Sequence, residues 1–326
     1  MIQWTKHDLI DLQDFTREEI ELILEQAKSF KEISKREVKK VPALRGKTVV
    51  MMFVESSTRT RTSFELAAKR LSADTLTISP SGSSLTKGES ILDTAKNIQA
   101  MNVDMIIVRH PSAGVPTVLA DALEPSVINA GDGCHAHPTQ ALLDMFTIKE
   151  KLGRIEGLRV VIVGDILHSR VARSNIWGLT KLGAKVTVCG PSTLMPIGIE
   201  QMGVEVSYDL NRAVKDCDCL MALRLQIERQ TQKFLPSLRE YAQKFGITKE
   251  RLKLAKKNII IMHPGPTNRG LEIAGDVADG DQSVILEQVT NGIAIRMAVL
   301  YLFLGATDKA ANEVKKTRKS KNVIID

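Results

Sequence analysis

Three hydroxyls and two guanidinium groups fall within five residues, Ser57-Thr58-Arg59-Thr60-Arg61, where the apolar run 48–54 ends and the amphipathic segment 62–71 begins. A strand-to-helix turn of this kind offers backbone N–H groups and the positive end of a helix dipole to an anion. Arginine adds a bidentate fork for phosphate oxygens. The competing reading is a solvated turn in which Thr62 and Glu65 form a capping box. Other polar sets also follow apolar runs closely: Arg109-His110-Pro111, the stretch from Cys134 to Gln140, Arg224-Leu225-Gln226 and His263-Pro264-Gly265-Pro266. A small, polar loop from Ser79 to Glu89 carries one lysine, Lys87, and its composition predicts mobility.

The elements that must position these groups alternate along the chain. Strand-like runs occupy 48–54, 74–79, 104–109, 126–130, 159–164, 185–189, 204–208, 219–223 and 258–262. A first helix opens at Thr16 and Glu19, and helical patterns follow at 90–101, 116–123, 138–152, 170–182, 228–245 and 282–304. This alternation predicts an α/β protein with parallel sheets flanked by helices. Nine strands are many for one sheet, and Lys149 to Arg154 reads as a polar hinge, so two domains are expected. In such sheets ligands bind beyond the carboxyl ends of the strands, where the polar sets lie.

Composition narrows the function. The net charge of +7 comes from 45 Lys and Arg against 38 Asp and Glu, and part of the excess crowds the tail at Lys315, Lys316, Arg318, Lys319 and Lys321. No aromatic residue interleaves that cluster, which argues against a nucleic-acid partner. Cys134, Cys189, Cys217 and Cys219 have neither zinc-site spacing nor the density of a disulfide scaffold, and Cys189 reads as a small buried hydrophobe. Asp8, Asp11 and Asp14 break the amino-terminal region, and nowhere do eighteen apolar residues run together, so a cytoplasmic protein with no membrane partner is expected. His135 and His168 resemble a metal pair at first sight, but no carboxylate stands at a convincing spacing, and no metal is expected.

Six segments in order carry a resemblance: Ser57 to Glu65, Lys87-Gly88-Glu89-Ser90, Val108-Arg109-His110-Pro111, His137 to Asp144, Arg224 to Arg229, and His263 to Gly270. Together they resemble the aspartate/ornithine carbamoyltransferase family, in its aspartate-using branch. The resemblance implies transfer of the carbamoyl group of carbamoyl phosphate to the amino group of L-aspartate, the first committed step of pyrimidine synthesis, without metal or organic cofactor. It implies a carbamoyl-phosphate domain, 1–149 with a returning C-terminal helix 292–326, and an aspartate domain, 150–291. Asn291-Gly292, which interrupts the helical pattern, would be the crossing point.

The same resemblance assigns roles. Ser57, Thr58, Arg59 and Thr60 would grip phosphate, while Thr60, Arg109 and His137 would face the carbonyl oxygen. Gln140 and the backbone near Gly265 and Pro266, joined by a cis bond, would take the carbamoyl amide. Arg170, Arg224, Gln226 and Lys87 would hold aspartate, and Arg61 would pair structurally. Ser83, or its neighbour Ser84, and Lys87 would enter an adjoining subunit's site, implying a homotrimer; a separate regulatory chain or dihydroorotase stays open as a further partner. His110 and His263 read as strand-end residues fixed before proline. The ornithine branch carries a Ser-Met-Gly loop and a His-Cys-Leu-Pro strand end, and this chain has neither. A nicotinamide-dependent dehydrogenase is the rival suggested by Val160 to Asp165, but the second and third fingerprint glycines are missing. A noncatalytic binding protein on the same scaffold would be expected to lose Arg59, Arg109, His137 or Lys87.

Overall fold

The computed structural model describes residues 4–78, 88–226, 229 and 234–305. The chain forms two compact units, one of residues 1–11, 18–139 and 292–326, the other of 12–17 and 140–291.

In the first unit, β1 (Thr48–Phe53), β2 (Asp74–Ile78), β3 (Met105–His110) and β4 (Ser126–Asp132) form a parallel sheet in the order β2-β1-β3-β4. The helices are α1 (Arg17–Ile33), α2 (Thr58–Arg70), α3 (Ile91–Gln99) and α4 (Val115–Ala122). Val50, Met52, Ile106, Val108 and Val127 share one core with Ala95 and Ile98 of α3 and Leu119 and Ala120 of α4. β1, β3 and β4 are buried along almost their whole length, which is why β1 and most of β3 read as apolar runs instead of alternating, while β4 also buries Ser126, Asn129 and Asp132. Phe64 anchors α2 in the core, with the Arg296 guanidinium 5.0 Å above its ring.

The chain passes into the second unit along α5 (Pro138–Leu152). There β5 (Arg159–Val163), β6 (Lys185–Cys189), β7 (Glu205–Ser207), β8 (Cys219–Ala222) and β9 (Ile260–Met262) form a parallel sheet ordered β7-β6-β5-β8-β9. Its helices are α6 (Arg170–Lys181), α7 (Leu210–Val214), α8 (Leu238–Phe245), α9 (Lys249–Leu252) and α10 (Gly275–Ala278), with α11 (Ile285–Gly305) leading back to the first unit. Val161, Val163, Leu220, Ala222 and Ile261 pack with Tyr241 and Phe245 of α8 and Val277 of α10. Cys189 and Cys217 are buried, and burial pushes each thiol up to about 12, as befits small hydrophobes.

Several local expectations need correction. α2 starts at Thr58 with Ser57 as its N-cap, so Thr62 is already helical and the Thr62/Glu65 capping box does not exist. Of the helix expected over 228–245, residues 228 and 230–233 lie outside the described residues, 234–237 are not helical, and the helix begins at Leu238 and runs to Phe245. Pro236 disfavours helix in the residue before it, and Ser237 caps the new start by accepting the Glu240 N–H at 3.1 Å. The expected hinge from Lys149 begins as the last turn of α5, which ends where Gly153 adopts a left-handed φ of 75°. Asn291-Gly292 does not interrupt α11; Asn291 instead donates to Thr147 Oγ1 at 2.9 Å and Glu150 Oε2 at 2.7 Å. α11 is long and apolar enough to cross a membrane by length and composition, although no unbroken apolar run announced it, and 72% of its most apolar window is buried in protein.

Candidate active site

The first unit gathers its candidate groups at the carboxyl ends of three adjacent strands, β1, β3 and β4. The chain leaves β1, turns through 54–57 and enters α2, so Thr58, Arg59 and Thr60 form that helix's first turn. A first turn has no preceding carbonyls within its own helix to accept its N–H groups, and the Ser57 hydroxyl makes no capping bond. Thr58 and Arg59 are exposed, whereas Thr60 is buried. Arg109 lies in register with Phe53 near the end of β3, donates to the Ala130 carbonyl at 3.0 Å and pairs with Glu55. This buried arginine is therefore aimed by both neighbouring strand ends.

His137 follows β4 and is buried immediately before α5. Its approach is shaped by Asp132, which accepts the Ala136 N–H at 3.1 Å, Asn129 Nδ2 at 2.8 Å and the Gly114 N–H at 2.8 Å, and contacts His135 Nδ1 at 3.0 Å. Burial opposes ionisation of Asp132, but hydrogen bonds from His135, Asn129 and Gly114 outweigh it and hold the carboxyl below its ordinary pKa. The His110 pKa is also lowered, but by burial itself, and its Nδ1 accepts the Ser112 N–H at 2.9 Å.

The second unit repeats the arrangement at the ends of β5, β8 and β9, again three neighbours. Arg170 is buried at the start of α6 after the Ser169 N-cap, whose hydroxyl accepts the Ala172 N–H at 3.1 Å. Arg224 leaves β8 half-buried and donates from Nη2 to Gln226 Oε1 at 3.0 Å. The loops after β5 and β8 meet where the strand order reverses, the position at which open α/β sheets bind ligands. Asp165 joins them: it is fully buried and accepts the His168 N–H at 3.1 Å and the Gln226 N–H at 3.3 Å. Gly164 precedes it with φ 137°, and a Cβ there would stand 2.9 Å from the Leu223 carbonyl, so close approach of these two chain segments requires glycine. Beyond β9, Gly265-Pro266 is cis, and the Gly265 N–H donates to His263 Nδ1 at 2.8 Å. Gln140, in the first turn of α5, donates to Asp144 Oδ1 at 2.9 Å.

Lys87, Ser83 and Ser84 lie outside the described residues. Asp132 and Asp165 each stand three residues before His135 and His168 and contact them, which pairs each histidine with a carboxylate. Among the described residues, no group of three or more His, Cys, Asp or Glu is arranged to hold a metal. Sequence reasoning gave no role to Glu55, Asp132, Asp144, Asp165 or Gln288, whose hydrogen bonds to the candidate groups or their neighbours come from the fold, even where Asp144 and Asp165 lay inside motifs already noted.

Residues 7–150 match the carbamoyl-P binding domain of aspartate/ornithine carbamoyltransferase, and residues 156–303 match the Asp/Orn binding domain. The chain belongs to the aspartate/ornithine carbamoyltransferase family. Within this carbamoyltransferase family, it is 57% identical over 306 residues to the aspartate carbamoyltransferase catalytic subunit of Syntrophus aciditrophicus, covering 94% of this chain and all of that one. Ornithine carbamoyltransferase from Pyrococcus furiosus superposes with a TM-score of 0.84 at 36% identity, covering 94% of this chain and 99% of that one. Aspartate transcarbamoylase from Trypanosoma cruzi in complex with carbamoyl phosphate and aspartate gives a TM-score of 0.83 at 28% identity, covering 93% and 98%.

Proposed function

We propose that this carbamoyltransferase uses aspartate: it transfers the carbamoyl group of carbamoyl phosphate to the α-amino group of L-aspartate, giving N-carbamoyl-L-aspartate and phosphate. The observation that carries this reading is the 57% identity across the whole length of an aspartate carbamoyltransferase catalytic subunit. The likeness to an ornithine enzyme is weaker, at 36%, and two arginines, Arg170 and Arg224, follow the strands of the second unit. Two cationic forks suit the two carboxylates of aspartate and oppose the second ammonium of ornithine.

Transfer needs an amine lone pair at the carbamoyl carbon, a tetrahedral oxyanion and departure of phosphate. In this account Ser57, Thr58 and Arg59 hold the phosphoryl group at the amino end of α2, while Thr60, Arg109 and His137 stabilise the carbonyl oxygen as charge collects on it. Gln140 and the main chain at Gly265-Pro266 accept the carbamoyl N–H groups. Arg170 grips the α-carboxylate of aspartate, Arg224 with Gln226 grips its side-chain carboxylate, and Lys87 assists. The catalysis consists of positioning and charge stabilisation. The reaction supplies pyrimidine synthesis in the cytoplasm, and the working assembly is a homotrimer in which Ser83 and Lys87 complete a neighbouring site.

A colorimetric assay for ureido product tests the substrate: carbamoyl phosphate with aspartate gives product, and with ornithine gives none. Product from ornithine alone rejects the assignment. Mixing and exchanging subunits of the inactive Lys87→Ala and His137→Ala variants tests the shared site, because restored activity is expected only if one intact site can assemble from two chains.

A further inference from the structure

Three amide nitrogens converge on the fully buried carboxylate of Asp144: Gln140 Nε2 at 2.9 Å and Gln288 Nε2 at 2.8 Å on Oδ1, and Asn175 Nδ2 at 2.8 Å on Oδ2. A carboxylate accepts and does not donate, so each amide must turn its nitrogen to Asp144 and its oxygen away. For Gln140 this presents Oε1 as the outward acceptor. For Gln288 it brings Oε1 to the main-chain N–H of His263, 2.9 Å away. His263 accepts the Gly265 N–H on Nδ1 at 2.8 Å, which leaves its ring proton on Nε2, 3.3 Å from Glu272 Oε1. The same Glu272 oxygen accepts the Asn268 N–H at 2.7 Å. Asp144, Gln288, His263 and Glu272 are all buried, and the whole chain of bonds lies within the second unit.

We propose that Gln288 is a positioning residue for recognition of the carbamoyl amide. Through Asp144 it fixes the Gln140 side chain, and through His263 it fixes the backbone at Gly265-Pro266, so one buried amide sets both acceptors in a single frame. The inference rests on the carbamoyl transfer proposed above, in which those two acceptors take the two N–H donors of the substrate. A planar NH2 group has its donors at a fixed angle, and acceptors that drift independently satisfy only one of them. Gln288 acts through its neighbours and makes no substrate contact in this account. Its place in α11, 144 residues from Asp144, hides the connection from any local motif.

Acetyl phosphate separates this role from a merely structural one. It carries the phosphoryl and carbonyl groups of carbamoyl phosphate but has a methyl group where the amide should be. Gln288→Glu keeps an oxygen for the His263 N–H while setting a carboxylate against Asp144. The KM for carbamoyl phosphate is expected to rise about tenfold, the loss of one good hydrogen bond. The inhibition constant of acetyl phosphate is expected to stay within about twofold. Asp144→Asn keeps the side-chain shape but loses an acceptor, and carries the same selective loss at smaller size should Gln288→Glu fail to fold. Equal weakening of both ligands, or of neither, in a folded variant overturns the inference. Absence of ureido product from the unaltered enzyme would instead remove the functional reading beneath it.

Discussion

The two units solve the same problem, aiming polar groups from the carboxyl ends of three neighbouring parallel strands, by different physical means. In the first, strand register sets Arg109 beside the end of β1 and the start of α2 presents Thr58, Arg59 and Thr60 in consecutive positions, with the Glu55 and Asp132 side chains bracing that backbone frame. In the second, buried side chains tie distant loops together, with Asp165 reaching Gln226 across 61 residues and Gln288 reaching Asp144 across 144. A backbone-built set should lose chemistry when one group is removed yet keep its frame. A set built by side-chain ties should respond to changes at residues that never meet substrate.

The largest effect belongs to the first set. His137→Ala is expected to reduce kcat by about 10²- to 10³-fold, the usual cost of deleting one oxyanion donor, while the aspartate KM changes little; steady-state ureido kinetics reads both numbers. Arg224→Ala should do the reverse, raising the aspartate KM by roughly 10²-fold through loss of a bidentate carboxylate contact with kcat much less affected. Matching kinetic profiles for these two variants would erase the contrast between the units.

Asp165→Asn sharpens it. The side chain is buried behind the candidate groups, and replacing one acceptor oxygen by a donor is expected to raise the aspartate KM roughly tenfold while lowering the thermal midpoint. An unchanged KM would mean that the loops after β5 and β8 hold their shape without this tie. The smallest effect is at Asp132, whose folded pKa is depressed by its hydrogen bonds. A depressed carboxyl contributes stability above its unfolded pKa, near the ordinary aspartate value, and that contribution is lost as pH falls through the folded pKa. Urea midpoints should therefore drop more steeply with acidification for the unaltered protein than for Asp132→Asn, and parallel curves would contradict the cause assigned to the shift.

The same contrast explains what could be read from the amino-acid sequence. The strands β1, β3, β5, β8 and β9 were the most legible because both faces are covered and their runs are largely apolar, whereas the edge strands β2 and β7 are more polar and exposed. The strand-to-helix turn at Ser57–Arg61 was legible as a turn because a strand end and a helix start are contiguous in sequence, although the start of α2 was misplaced by treating Thr62 as its cap. Glu55, Asp132, Asp144, Asp165 and Gln288 were not legible as positioning groups. Each is a common polar residue whose meaning comes from a partner brought near by folding; Arg109 and Glu55, for example, are 54 residues apart. His263 was read as a strand-end histidine fixed by proline, and the structure adds that its ring accepts Gly265 and faces Glu272.

The most direct test of the account is a competition. Carbon-13-labelled carbamoyl phosphate is given to the enzyme with equimolar aspartate and ornithine in one tube, and the labelled products are resolved by NMR. Capture of a dicarboxylate by Arg170 and Arg224 predicts label in N-carbamoyl-L-aspartate alone, and label in citrulline, the ornithine product, would contradict it.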